Sequence, residues 1–141
     1  MEYVIVVSAV IFRENYILLA KRSMNEDVLP GYWGIPGGKV EIRENGDAVL
    51  EKELQREISE EVGIRIKNIG YLESHFVKTP NGHKIHICFV ADYDAGKAQA
   101  LQETEEVAWL DFNKIKKLKL TPYTSERIKL AFISRKSHVK R

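Results

Sequence analysis

The chain has 141 residues, 44% hydrophobic and 30% charged, with a formal net charge of +2. That length suits one domain with a single core, and the apolar content and small net charge exclude a disordered chain. No apolar run reaches the roughly 18 residues that cross a membrane. No secretory signal pattern is read at the start, and a lone cysteine, Cys88, excludes an internal disulfide. The expected setting is therefore reducing and cytoplasmic.

Residues 3–12 are rich in Val and Ile and predict a largely buried strand. Arg13-Glu14-Asn15 reads as a tight turn into a second strand at 16–21. Residues 23–38 contain Pro30, Pro36 and four glycines, so they read as loop with a short strand at 33–35. The stretch 47–62 predicts a helix, with Asp47 placed to cap its start and Gly63 to end it. Two β-rich runs follow at 69–78 and 84–93, joined through Pro80-Asn81-Gly82, a strong hairpin signal. A last strand is expected at 106–111. Thr121 before Pro122 then fits an N-cap and first-turn proline for a closing helix to about Ser134. The plan is α+β over a single domain, 1–141, with 135–141 as a basic tail.

The net charge conceals two opposed regions. Residues 112–141 hold ten Lys and Arg against one acid, Glu126, and the remainder is correspondingly acidic. Between Glu41 and Glu61 stand eight carboxylates opposed only by Arg43, Lys52 and Arg56. At about 100° per residue, Glu53, Glu57, Glu60 and Glu61 share one arc of the 47–62 helix, while Leu54, Ile58 and Val62 occupy the adjoining arc. An acidic face of this kind is ordinarily solvated surface, and like-charge pairs on it cost only about 0.2–0.5 kcal/mol each. Energetics alone does not separate a metal site from a surface.

The flanking residues do. Gly37-Gly38-Lys39-Val40-Glu41 precedes the helix, and Arg56-Glu57-Ile58-Ser59-Glu60-Glu61-Val62-Gly63-Ile64 closes it. The second stretch resembles the second half of the Nudix box at every constrained position, a coincidence of order one in 10⁵ at average residue usage. The run from Leu29 to Gly38 and the segment from Glu105 to Asp111 also resemble members of that family. In one respect the chain departs from the pattern. The family sets seven residues between a first-half glutamate and the arginine, whereas eleven separate Glu44 from Arg56. The loop therefore holds about four extra residues, and either Glu44 or Asp47 is the candidate partner that braces it against Arg56, with Gly38 in the same loop.

The resemblance implies a Nudix-like α/β/α sandwich with a mixed sheet and a central loop-helix motif. It implies divalent-metal hydrolysis of a pyrophosphate in a nucleoside diphosphate derivative. Mg²⁺ takes oxygen ligands in an octahedron and keeps several waters, which suits carboxylates at i, i+3 and i+4 plus a backbone carbonyl; Mn²⁺ is a substitute. By resemblance, Gly37, Glu57, Glu60 and Glu61 hold the metal, joined by Glu103, with Glu106 in reserve. Glu57 or Glu103 is the general base, and Arg56 completes the catalytic set. Arg22 and Lys39 are candidate phosphate grips, and Tyr32 and Phe76 candidate stacking rings. Cys88 reads as a small buried hydrophobe.

The first-choice substrate is a (d)NTP or modified (d)NTP cut to a monophosphate and pyrophosphate. The region 121–125 lacks the asparagine that readers of oxidised guanine place there. ADP-ribose or another nucleotide sugar is the alternative, hinted at by Pro80 sixteen residues after Ile64. A non-catalytic, RNA-binding role for the basic C-terminal third is the alternative of another class, set against the intact glutamates and the lack of an aromatic RNA-binding signature. The expected partner is a small nucleotide, with no membrane and no nucleic acid; a homodimer is left open.

Overall fold

The computed structural model describes residues 2–139, with side chains described through 136. In chain order it contains β1 (Tyr3–Arg13), β2 (Tyr16–Arg22), β3 (Trp33–Gly34), β4 (Gly37–Lys39), α1 (Val49–Val62), β5 (Arg65–Thr79), β6 (Gly82–Ala95), β7 (Thr104–Leu110), α2 (Phe112–Ile115) and α3 (Thr124–Val139). The sheet is mixed. Its main path runs β3-β2-β1-β6-β5, with β4 added to β1 and β7 to β2. β1 and β6 run parallel from Tyr3↔His83 to Phe12↔Asp92, the other pairings between these strands are antiparallel, and Trp33 adds an isolated parallel bridge to Leu120.

Side chains on a strand alternate between faces, and the sheet uses both. Val7, Ala9 and Ile11 of β1, with Leu18 and Ala20 of β2, pack against Leu54, Ile58 and Val62 of α1. Val10, Phe12, Ile17 and Leu19 turn the other way, onto Ile128 and Ala131 of α3. The expected α/β/α sandwich is the observed one, and near-continuous apolar runs in β1 and β2 follow from burial on two faces. Each fully buried aliphatic or aromatic side chain contributes about 1.5–3 kcal/mol. Among the described residues, no helix is long and apolar enough to cross a membrane.

Several boundaries differ from expectation. α1 begins at Val49, after Ala48 in a left-handed conformation (φ 51), and no side chain caps it; Asp47 does not. Gly63 ends the helix as expected: at φ 74 its N–H reaches the carbonyls of Ile58 and Ser59. β4 occupies a stretch expected to be loop, because two glycines let the backbone press against β1; a Cβ on Gly37 would overlap the Val7 carbonyl and lie 2.6 Å from Ser8 Cα. Thr121 is not the N-cap of the closing helix. Its N–H is committed to the Trp33 carbonyl at 2.9 Å, and the helix starts three residues later. α2 was not anticipated, although Asp111 caps it by accepting from the Lys114 N–H at 3.0 Å. α3 runs on to Val139, so the first part of the expected tail is helical. There Arg135 donates to the Glu14 carbonyl at 2.7 Å and covers the Phe12 ring; 140–141 lie outside the described residues.

Candidate active site

Gly37 and Gly38 bring β4 within touching distance of α1. The Gly37 N–H donates to Glu61 Oε2 at 3.2 Å. Gly38 faces Glu57 so closely that an added Cβ would overlap its carboxylate. One turn of helix therefore presents Glu57 and Glu61 side by side against a strip of backbone, as the i, i+4 spacing requires. Burial pushes the Glu61 carboxyl up to about 7, against the opposing pull of the Gly37 N–H and the Arg22 charge. Glu57 is also raised, by burial first, while the adjacent Arg56 opposes the rise. Two neighbouring carboxylates made costly to ionise are what a bound cation would relieve.

Arg56 ties the outer flank together. Its Nε donates to Glu53 Oε2 at 2.9 Å and one NH₂ group to Glu53 Oε1 at 3.1 Å, a two-point pair. The guanidinium also reaches Glu60 Oε2 and Glu57 Oε1, each at 2.9 Å, and the Lys39 carbonyl at 3.4 Å. The expected brace from Glu44 or Asp47 is not the one observed: both are exposed, and Glu53 takes the place. Its carboxyl is held below the usual range by Arg56 first and by the Glu41 N–H second. An i, i+3 pair was visible in the sequence, but the family spacing directs attention upstream into the loop.

The remaining expected residues divide. Arg22, at the end of β2, lends its charge to lowering Glu61, while its Nε donates to the Val28 carbonyl at 2.9 Å and its guanidinium lies 3.5 Å from Glu26 Oε2. Tyr32 sits beside it, its carbonyl accepting the Arg22 N–H at 2.9 Å, with Lys119 Nζ 5.0 Å from its ring. Lys39 is exposed at the end of β4. Glu60 lies on the Arg56 side, 44% exposed, and is not drawn against β4 with Glu61. Glu103 is exposed, and its carboxyl holds that of Glu26 above the usual carboxylate range, while the next residue, Thr104, acts to lower Glu61. Phe76 is not brought to this region: two strands separate β5 from β4, and its ring packs with His83 at 5.3 Å and Tyr3 at 6.3 Å. Sequence reasoning missed Glu26 and Thr104, which carry no pattern of their own. It also missed a polar group under α3, where Arg127 pairs with Glu73 at 2.9 Å and meets His75, itself stacked on His86 at 4.8 Å.

The donor set suits a hard divalent ion. Among the described residues no group of three or more His, Cys, Asp or Glu side chains is placed to hold a metal ion. Glu57 and Glu61 offer the hard oxygen donors that Mg²⁺ takes, an ion that completes its octahedron with waters and phosphate oxygens.

A family model described as the NUDIX domain matches residues 2–131. The chain belongs to the Nudix family. Similarity to individual members is moderate. An ADP-ribose pyrophosphatase of Methanocaldococcus jannaschii is 34% identical over 81% of this chain and 65% of its own length. An NAD-capped RNA hydrolase of Chromobacterium violaceum is 33% identical over 74% of this chain, which spans 37% of that protein. The solved structure of a MutT protein from Methanosarcina mazei is 29% identical, with a TM-score of 0.71 and coverage of 96% and 95% of the two chains. This Nudix chain thus falls short of two-thirds of the length of both sequence relatives.

Proposed function

We propose that this chain is a Mg²⁺-dependent pyrophosphohydrolase acting on a diphosphate that joins two sugars, as in ADP-ribose. The observation that carries the reading is the pairing of Glu57 and Glu61 against the Gly37–Gly38 strip. Glu57, Glu61 and the Gly37 carbonyl would hold the ion, with Glu103 entering from the loop before β7. When bound, a divalent ion neutralises pyrophosphate charge and helps generate the nucleophile from water. Arg22 would bind a phosphate oxygen, and Glu103 or Glu57 would take the proton of the attacking water. Water adds to one phosphorus, the bridging P–O bond breaks, and two monophosphates leave.

The sugar-linked diphosphate is preferred because two relatives with about one-third identity bear names that specify such a linkage. A (d)NTP cut to a monophosphate and pyrophosphate is the second reading, favoured by the MutT-named structure that matches over nearly the full length of both chains. A substrate panel with Mg²⁺ or Mn²⁺, resolved by ion-exchange chromatography, separates them. AMP with ribose 5-phosphate from ADP-ribose is the expected outcome. Pyrophosphate release from (d)NTPs, with ADP-ribose left intact, would give the second reading instead.

A further inference from the structure

We infer that Glu53 is a positioning residue that replaces the loop carboxylate as the brace of Arg56, and thereby keeps Glu57 available to the cation. The inference rests on the metal role proposed for Glu57 and Glu61. The family spacing would place the bracing glutamate eight residues before Arg56, where this chain has Ala48 in a left-handed conformation. Glu44, displaced by the longer loop, is exposed. Glu53 stands one helical turn before Arg56 and is only 13% exposed. It grips the guanidinium at two points, 2.9 and 3.1 Å, and its Oε1 also accepts the backbone N–H of Glu41. A single carboxylate thus ties the inserted loop, the arginine and the helix together.

The consequence for the site is electrostatic. Arg56 touches Glu57 Oε1 at 2.9 Å, while Glu57 Oε2 turns to Gly38, where a cation would reach it. With Glu53 taking the Nε–H and one hydrogen of the terminal nitrogen that also touches Glu57, that nitrogen has a single hydrogen left to share between Glu57 and the Lys39 carbonyl. Without Glu53, those donors turn to the remaining carboxylates and compete with the cation for Glu57. The Glu41 N–H loses its acceptor, and the loop around Arg43 comes free. The fork geometry is needed for this, and lysine has no fork.

The test is Mn²⁺ binding to the free enzyme, without substrate, together with tryptic cleavage after Arg43. Glu53→Gln should raise the Mn²⁺ Kd about tenfold, in the range for residues that support metal ligands, and should speed cleavage at Arg43. At saturating metal it should leave the KM for the nucleotide unchanged. Arg56→Lys should reproduce the weaker Mn²⁺ binding, which guards against a Glu53 variant that fails to fold. Wild-type Kd and cleavage rate in Glu53→Gln would overturn the inference. So would the same losses in Glu44→Gln without losses in Glu53→Gln. Should the unaltered protein bind no Mn²⁺, the metal reading fails, and the cleavage rates alone decide whether Glu53 holds the loop.

Discussion

Gly37 and Gly38 are adjacent on β4, yet a methyl group on each meets a different kind of obstacle. At Gly37 it strikes the backbone of β1, which has no room to yield; at Gly38 it strikes the end of the Glu57 side chain, which can swing away. Gly37→Ala should therefore lower stability and activity together. Gly38→Ala should fold with a nearly unchanged Tm while displacing Glu57 and lowering kcat by at least about tenfold, a loss of roughly 1.4 kcal/mol of transition-state stabilisation. Thermal melts beside steady-state kinetics check the contrast, and equal activity in Gly38→Ala would contradict the placement of Glu57. The residue types of this site were legible from the sequence because Gly-Gly and the glutamates are tied by fixed spacing. The Glu53 brace was not, because two i, i+3 or i, i+4 neighbours of Arg56 compete for it and only the folded loop, through the Glu41 N–H, selects one.

At the scale of elements, α1 is set by an apolar stripe on one side and a sharp stop at its end. Leu54, Ile58 and Val62 are fully buried, and Gly63 adopts φ 74 to turn the chain into β5. Gly63→Ala should cost about 1 kcal/mol by forcing a Cβ into a left-handed conformation, read as a lower midpoint in urea with the slope unchanged. A midpoint equal to wild type would count against this cap as the determinant of the helix end. The long strands and this helix follow directly from periodicity. The elements that escaped, β4 and α2, are three and four residues long, too short to show a period. β4 exists because glycines allow close approach to β1, a reason that appears only once β1 is in place.

At the scale of the molecule, the sheet separates an acidic site beneath α1 from a basic and aromatic group beneath α3. In the latter, burial pushes His86 down to about 4, with His75, Arg127 and Lys84 adding to the effect and Glu73 opposing it. His75 is lowered as well, by burial first. An unfolded chain takes up these protons near pH 6.5, so between about 4 and 6.5 it holds more protons than the folded one. Stability from this group is therefore complete above about pH 6.5 and is lost as pH falls toward 4. The Tm of wild type should drop through that window more steeply than the Tm of His86→Gln, and parallel curves would refute the assignment. The near-neutral net charge is thus a cancellation between regions that the fold keeps on different elements.

The central claim is that Glu61, pressed against the Gly37 N–H, belongs to a metal-dependent site that breaks a pyrophosphate. Hydrolysis of ADP-ribose by wild type and by Glu61→Gln, at saturating Mg²⁺ and with Tm recorded for both, tests it most directly. The expected result is Mg²⁺-dependent turnover in wild type and a loss of at least about 100-fold in the variant, with Tm equal or raised because a buried charge has been removed. Full activity in Glu61→Gln would contradict it.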